Sequence, residues 1–208
     1  MGFHEHSLFD VPPHETTIWR YMNLGTFLRM LESSTLFFTR TDCFSDPFEG
    51  AVPDINVLRG AHTAEEITAA RMRTVANCWH ISRIESDALW RLYSSRGETL
   101  AIRSTVQHLI DGVAQAPHPI YVSRVQYIDY RKDGLKPEDE LFAFLFKRSS
   151  FCYESELRAV IATDPEPTGT GISVPVDLDI LVRIVYVAPT ASDWLAETVA
   201  TVADRLGL

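Results

Sequence analysis

Three charged residues stand at every second position in the stretch KRSSFCYESELRAVI, residues 147 to 161: Glu154, Glu156 and Arg158. If this stretch is extended, a period of two puts all three on one face and Tyr153, Leu157, Ala159 and Ile161 on the other. The charges then line a groove. Acids gathered in a groove with a perturbing cation can serve as a site, which makes Glu156 and Glu154 the candidate catalytic residues. If YESEL instead closes a helical turn, Glu154 and Arg158 form an i,i+4 pair worth only about 0.2–0.5 kcal/mol. Only Glu156 is then left to explain. The reading adopted is a turn over residues 149–153 that leads into a strand, with Arg158 paired to one of the glutamates. Buried paired acids also serve purely structural ends.

Two further clusters could join this one. In RTDCFSDPFEG, residues 40–50, Asp46 precedes Pro47 and so disfavours helix, while Phe44 and Phe48 are too apolar to sit in water. The loop is expected to fold back with Phe48 as its anchor. It would bring Asp42, Asp46 and Glu49 to a pocket rim, unless Asp46 merely caps backbone amides in an Asx-type turn. In NCWHISRIESDALWRLYSSRGETLAI, His80 ends a strand and is followed by Trp90 and Tyr93 on a short helix. Aromatic rings so placed can stack on a planar ligand, or fill the core between strand and helix.

Other chemistries fit less well. Cys78 and His80 share a strand face, but a cysteine nucleophile needs a base within hydrogen-bond reach and a lowered pKa. His4, His6 and His14 lie near Glu5 without Cys-x-x-Cys or His-Glu-x-x-His spacing, so no metal site is assigned. A magnesium-dependent nuclease would draw on Asp46, Glu49, Glu154, Glu156 and Lys147. It requires at least two of these carboxylates about 4–5 Å apart across a cation.

The elements that must position these residues alternate. NLGTFLRMLESS reads as a helix capped by Asn23, with Leu24, Phe27, Leu28 and Leu31 on one side, and TLFFTR as the strand after it. HTAEEITAARMRTVA carries the capping-box spacing Thr63 to Glu66 and runs into the strand VANCWHIS. SDALWRLYSS, capped by Ser86, is a helix; ETLAIRS is a strand, TVQHLIDGVAQA a helix and IYVSRVQYIDY a strand. PEDELFAFLFKRSS reads as an apolar helix with acids in its first turn. ELRAVIAT, GISVPVD and RIVYVAP are strands, DPEPTGTG is an exposed loop, and SDWLAETVATVADRLGL is an amphipathic helix with Trp194, Leu195, Val199, Val202 and Leu206 on one side. Three nearly consecutive strands fit a doubly wound parallel sheet poorly, and no glycine-rich phosphate loop is present. The expected fold class is α+β: a single domain over residues 1–208, with a mixed or mainly antiparallel sheet flanked by helices and a mobile arm at 1–16.

Composition narrows the partners. The 208 residues, 46% hydrophobic and 23% charged, suffice for one domain with its own core. A formal charge of -9 argues against a broad nucleic-acid surface. Three scattered cysteines, no signal peptide and no run of about 18 apolar residues point to a cytoplasmic protein outside the membrane.

The blocks WRY, FLRMLESSTLFFTRTDCFSDPFEG, CWHIS with ALWRLYSSRGETLAI, and KRSSFCYESELRAVI resemble, in this order over residues 19–161, a family of uncharacterised bacterial and phage proteins. Ser45 stands where that family usually has asparagine, and Trp79 and His80 replace its usual Phe-Ser. More faintly, the organisation resembles ADP-ribosyltransferases, in which a basic or histidine residue on an early strand holds NAD, aromatics sandwich nicotinamide and a late glutamate stabilises the ribosyl cation. The resemblance implies Arg20 in the early position, Tyr93 or Trp90 in the stacking role and Glu154 or Glu156 in the late one; Ser82 meets the usual central serine or threonine motif only loosely. With His80 and Arg158, these residues make the expected ligand site of an NAD- or nucleotide-handling transferase or hydrolase. The alternatives are a non-catalytic ligand-sensing or protein-binding module of phage defence or stress response, and the nuclease. Composition and spacing leave the oligomeric state open.

Overall fold

The computed structural model describes residues 1–51, 64–93, 98–133 and 140–206. Along the chain run β1 (Gly2–Phe3), β2 (Thr17–Asn23), α1 (Leu24–Ser33), β3 (Thr35–Arg40), α2 (Ala64–Arg73), β4 (Thr74–Ile81), α3 (Asp87–Tyr93), β5 (Thr99–Thr105) and α4 (Val106–Gly112). Then come β6 (Pro119–Arg124), β7 (Gln126–Ile128), β8 (Phe146–Arg148), β9 (Glu156–Ala162), β10 (Gly171–Pro175), α5 (Leu178–Leu181), β11 (Ile184–Val187) and α6 (Asp193–Leu206). The main sheet has nine strands and is open, in the order β1-β6-β9-β4-β2-β5-β11, with β3 also on β4 and β10 on β3. All its pairings are antiparallel except β1 with β6. The chain is thus a single α+β domain with a mainly antiparallel mixed sheet.

The sheet forks at β4. One edge of β4 pairs with β9 from Thr74 to His80. The other edge pairs with β3 through Val75 and Ala76 and with β2 through His80 and Ile81, so the ladder skips Asn77 to Trp79. Asn77 braces the gap, donating from Nδ2 to the Phe37 carbonyl at 2.9 Å and accepting from Trp79 Nε1 at 2.7 Å. A buried amide at a fork must find such partners, because an unmatched polar group there costs about 1–3 kcal/mol.

The two faces of the sheet have opposite characters. Ile18, Met22, Trp79, Leu157, Ala159 and Ile161 alternate inward and meet Phe27 and Leu31 of α1, Leu109 of α4 and Leu195 and Val199 of α6 in the principal core. Asn23 caps α1 as expected, its Oδ1 accepting from the Thr26 amide at 2.8 Å. Ser86 caps α3 through the Leu89 amide at 3.4 Å. On the opposite face lie Cys78, His80, Glu156 and Arg158, which form the floor of the site.

Several expectations are corrected. The apolar run before residue 147 is not an α-helix: a 3-10 turn, Glu140–Leu145, leads into β8, and a second, Ser149–Glu154, follows it. Leu141, Phe144, Leu145 and Phe146 are all buried, and the Phe144 carbonyl accepts from Arg158 at 2.6 Å. The strand expected over IYVSRVQYIDY breaks after Arg124, and β7 leaves the main sheet to pair with β8. Trp194 is 49% exposed, off the buried stripe of α6, because consecutive helical positions lie about 100° apart. The N-terminal segment lies along the sheet: β1 pairs with β6, and Phe9 is buried. The capping position Thr63 lies outside the described residues. Among the described residues no helix is long and apolar enough to cross a membrane.

Candidate functional site

Ser155 adopts the left-handed backbone conformation, φ 40° and ψ 57°, which turns the chain out of the 3-10 segment and into β9. Glu154 therefore leaves the strand period, while Glu156 and Arg158 keep it and share a face, with Leu157, Ala159 and Ile161 on the other side. Arg158 is fully buried. Its Nε donates to Glu156 Oε1 at 2.7 Å and its Nη2 to Glu156 Oε2 at 3.1 Å. Its Nη1 serves Glu49 and the Phe144 carbonyl, and the Phe44 ring covers the guanidinium at 5.5 Å. Arg158 thus orients the acids, with Nε, Nη1 and Nη2 all committed within the protein.

Lys147 bridges Glu154 and Glu156. Its Nζ donates to Glu154 and reaches Glu156 Oε2 at 3.4 Å. Burial alone would raise the Glu156 pKa, but Arg158, by charge and hydrogen bond, and Lys147 outweigh it and hold the carboxyl down to about 2. Glu156 is a fixed anion at any ordinary pH. Glu154 moves the other way: burial raises its pKa against the opposing pull of Lys147. Burial also works against the charge on Lys147, yet Glu156 and Glu154 together push its pKa up. Tyr127, whose hydroxyl accepts from the Glu156 amide at 2.8 Å, fixes the start of the strand. Nothing in the local pattern around residue 127 signals that contact.

The loop after β3 supplies the second acid of the buried trio. Asp46 forms the Asx-type turn, Oδ1 accepting from the Phe48 amide at 3.1 Å, and Arg148 grips the same carboxylate at 2.8 and 3.3 Å. Glu49 is then carried inward to Arg158. Gly50 makes this possible: its φ is +65°, and a Cβ there would lie 2.2 Å from the Phe144 ring. The expectation that Phe48 anchors the loop is corrected. Its ring is 46% exposed and stacks beneath the Arg148 guanidinium at 4.7 Å, while Phe44 is the ring that packs inward. Asp42 turns away to Arg40, at 2.7 and 2.9 Å.

These groups surround a cavity of about 430 Å³, within the range of small-molecule sites. Glu154, Glu156, Lys147, His80, Tyr93 and Tyr21 line it. A second cavity of about 270 Å³ occupies the fork, with Arg20 at its wall, and the two share Tyr21, Thr39, Phe44, Cys78 and Tyr93. Among the described residues no acceptor pairs with the Arg20 guanidinium. Burial lowers its pKa, only partly offset by Cys78 and Tyr93. A cation in that state favours an anionic ligand.

The structure brings together Glu154, Glu156, His80, Tyr93 and Arg158, with Arg20 in the adjoining cavity. It does not bring Trp90 to the wall: that ring is buried edge-on against Tyr21, centroids 4.8 Å apart, with Nε1 donating to Glu85. Tyr21 itself, missed in the sequence, stacks on Tyr93 with centroids 6.2 Å apart and planes at 23°. Its signal was the alternation of β2, which sends Trp19 and Tyr21 to the site side while Ile18 and Met22 enter the core. Cys78 is no thiolate, since burial pushes its pKa well up and Glu156 adds to the effect. Asp46, Glu49, Glu154 and Glu156 each face an arginine or lysine of the protein rather than one another across a cation site. The chain matches no protein-family model and no curated protein.

Proposed function

We propose that the protein is a transferase or hydrolase of ADP-ribosyltransferase type, acting at the ribosyl carbon of NAD or a related nucleotide. One observation carries the reading: three adjacent strands, β2, β4 and β9, deliver an arginine with no acceptor among the described residues, a histidine and an ionised glutamate to two cavities that share a wall. Arg20 would hold the diphosphate in the fork. Tyr93, with Tyr21 behind it, offers a ring face to the nicotinamide. Glu156 would then face the ribose, where breaking the glycosidic bond develops positive charge, and a carboxylate already desolvated and aimed needs no reorganisation as that charge appears. Arg158 and Lys147 keep it ionised and in place. The engagement of the four acids by Arg148, Arg158 and Lys147 favours this reading over a magnesium nuclease, whose carboxylates would have to be free for the metal.

The test is calorimetric titration of the folded protein with NAD. Binding is expected for the wild type, and Arg20→Ala is expected to weaken it by about tenfold or more, the loss of one charge-assisted phosphate contact worth about 1.5–3 kcal/mol. Absence of binding by the wild type at millimolar NAD would overturn the proposal.

A further inference from the structure

We propose that His80 is the proton acceptor for the nucleophile in this reaction, taking the proton at Nε2 from an attacking O–H or N–H group, water included. The inference rests on the transferase or hydrolase reading above and adds the identity of the base. His80 Nδ1 lies 2.6 Å from the main-chain carbonyl of Glu154. A carbonyl oxygen only accepts, so Nδ1 carries the hydrogen and Nε2 holds a lone pair. His80 is 8% exposed and lines the cavity, yet Nε2 is not among the closed-off polar atoms lacking a partner and has no partner among the described residues. It therefore opens toward the cavity. The antiparallel register sets His80 directly across from Glu156, and both side chains project from the same face of the sheet. A ribosyl carbon beside Glu156 would have Nε2 on its flank.

The groups that face His80 leave it basic and neutral. The titratable and charged groups that share its cavity are Tyr21 of β2, Cys78 of β4, Tyr93 of α3, Lys147 of β8, Glu154, Glu156 and Arg158 of β9, and Cys43, Asp46 and Glu49 of the loop after β3. Burial lowers the imidazole pKa, partly countered by the hydrogen bond to Glu154. The ring is thus uncharged at neutral pH, with the Nε2 lone pair available to take a proton. General bases work best with a pKa near the operating pH.

The C1′–N bond of the pyridinium ribosyl group breaks and its electron pair stays on the ring nitrogen, releasing neutral nicotinamide. The nucleophile's oxygen or nitrogen forms the new bond to C1′, and its proton passes to Nε2. The imidazolium then loses the proton to water, so NAD and the acceptor give ribosylated acceptor, nicotinamide and one proton.

The experiment measures nicotinamide release from NAD between pH 5 and 9, and NAD affinity, on wild type, His80→Asn and Glu154→Gln. Asparagine keeps a donor where Nδ1 stood and removes the base. Turnover of His80→Asn is expected to fall by about 100-fold or more with NAD affinity changed by less than about threefold. The wild-type rate should fall as pH drops through a pKa below the ordinary 6.5, and His80→Asn should lack that acid limb. Added imidazole should restore part of the rate in His80→Ala, which a merely structural histidine would not allow. Should His80→Asn fail to fold, His80→Gln replaces it. An acid limb that survives in the histidine variants and disappears in Glu154→Gln would overturn the proposal in favour of Glu154. A folded wild type that binds NAD at the site and turns it over with the limb intact in every variant would also overturn it. No nicotinamide release and no NAD binding by the wild type would remove the parent reading, and this one with it.

Discussion

Replacing Arg158 by methionine is the sharpest structural perturbation available. Methionine fills much of the same volume but leaves Glu49, 1% exposed, and Glu156, 6% exposed, as buried acids stripped of their shared cation. Removing one partner from a buried pair costs about 3–5 kcal/mol, because the remaining charges keep their desolvation penalty. Proton linkage gives a similar magnitude. Glu156 sits at a pKa of about 2 against an ordinary 4.5, a displacement that corresponds to about 3 kcal/mol. Urea unfolding followed by circular dichroism should show the midpoint falling by about 1–2 M, for a slope near the top of the range for small domains. The pH dependence should weaken as well. A carboxylate depressed in the folded state stabilises above its unfolded pKa, so the wild type loses that contribution as pH falls from 4.5 toward 2. In Arg158→Met, Glu156 keeps only Lys147 against its desolvation, so the stability lost between pH 4.5 and 2 should be smaller than in the wild type. A wild-type midpoint, or an unchanged pH slope, would refute this account of the buried trio.

Gly50→Ala should destabilise by about 2–5 kcal/mol, from an unfavourable backbone conformation plus overpacking against Phe144, and lower the melting temperature by about 5–15 °C; an unchanged melting temperature would contradict the loop geometry. Cys43 and Cys152 are exposed whereas Cys78 is half-buried in the cavity floor with its pKa raised, so the native protein should show two fast thiols toward a disulfide reagent and a third that reacts markedly more slowly until the protein unfolds. Three fast thiols would mean that the floor of the cavity is open.

Local pattern revealed much of the fold and half of the site. The alternation of Glu156 and Arg158 against Leu157, Ala159 and Ile161 is a property of consecutive residues, so the strand, its faces and the internal pairing were all legible. Glu49 was visible as an acid near a turn, but its bond to Arg158 joins positions 109 apart, and only the sheet order brings them together. Composition could not tell which of Phe44 and Phe48 packs inward, since the Asx turn at Asp46 sets the course of the loop. The segment 140–154 misled for a related reason. Residues apolar on every side carry no periodicity, and a tertiary contact, Arg158 to the Phe144 carbonyl, takes an acceptor that an α-helix would use internally. The fork that holds Arg20 arises because β3 and β2 share one edge of β4, a topological fact with no local signature.

The most direct test of the central claim is nicotinamide release measured side by side on wild type and Glu156→Gln, with each sample matched for folded fraction by circular dichroism and for NAD binding by calorimetry. Glutamine keeps the shape and much of the hydrogen bonding of Glu156 but carries no charge. Turnover is expected to fall by about 10² or more while NAD still binds, the signature of a carboxylate that acts on charge appearing in the transition state. Turnover in Glu156→Gln equal to that of wild type, per folded and NAD-bound molecule, would contradict the assignment of Glu156.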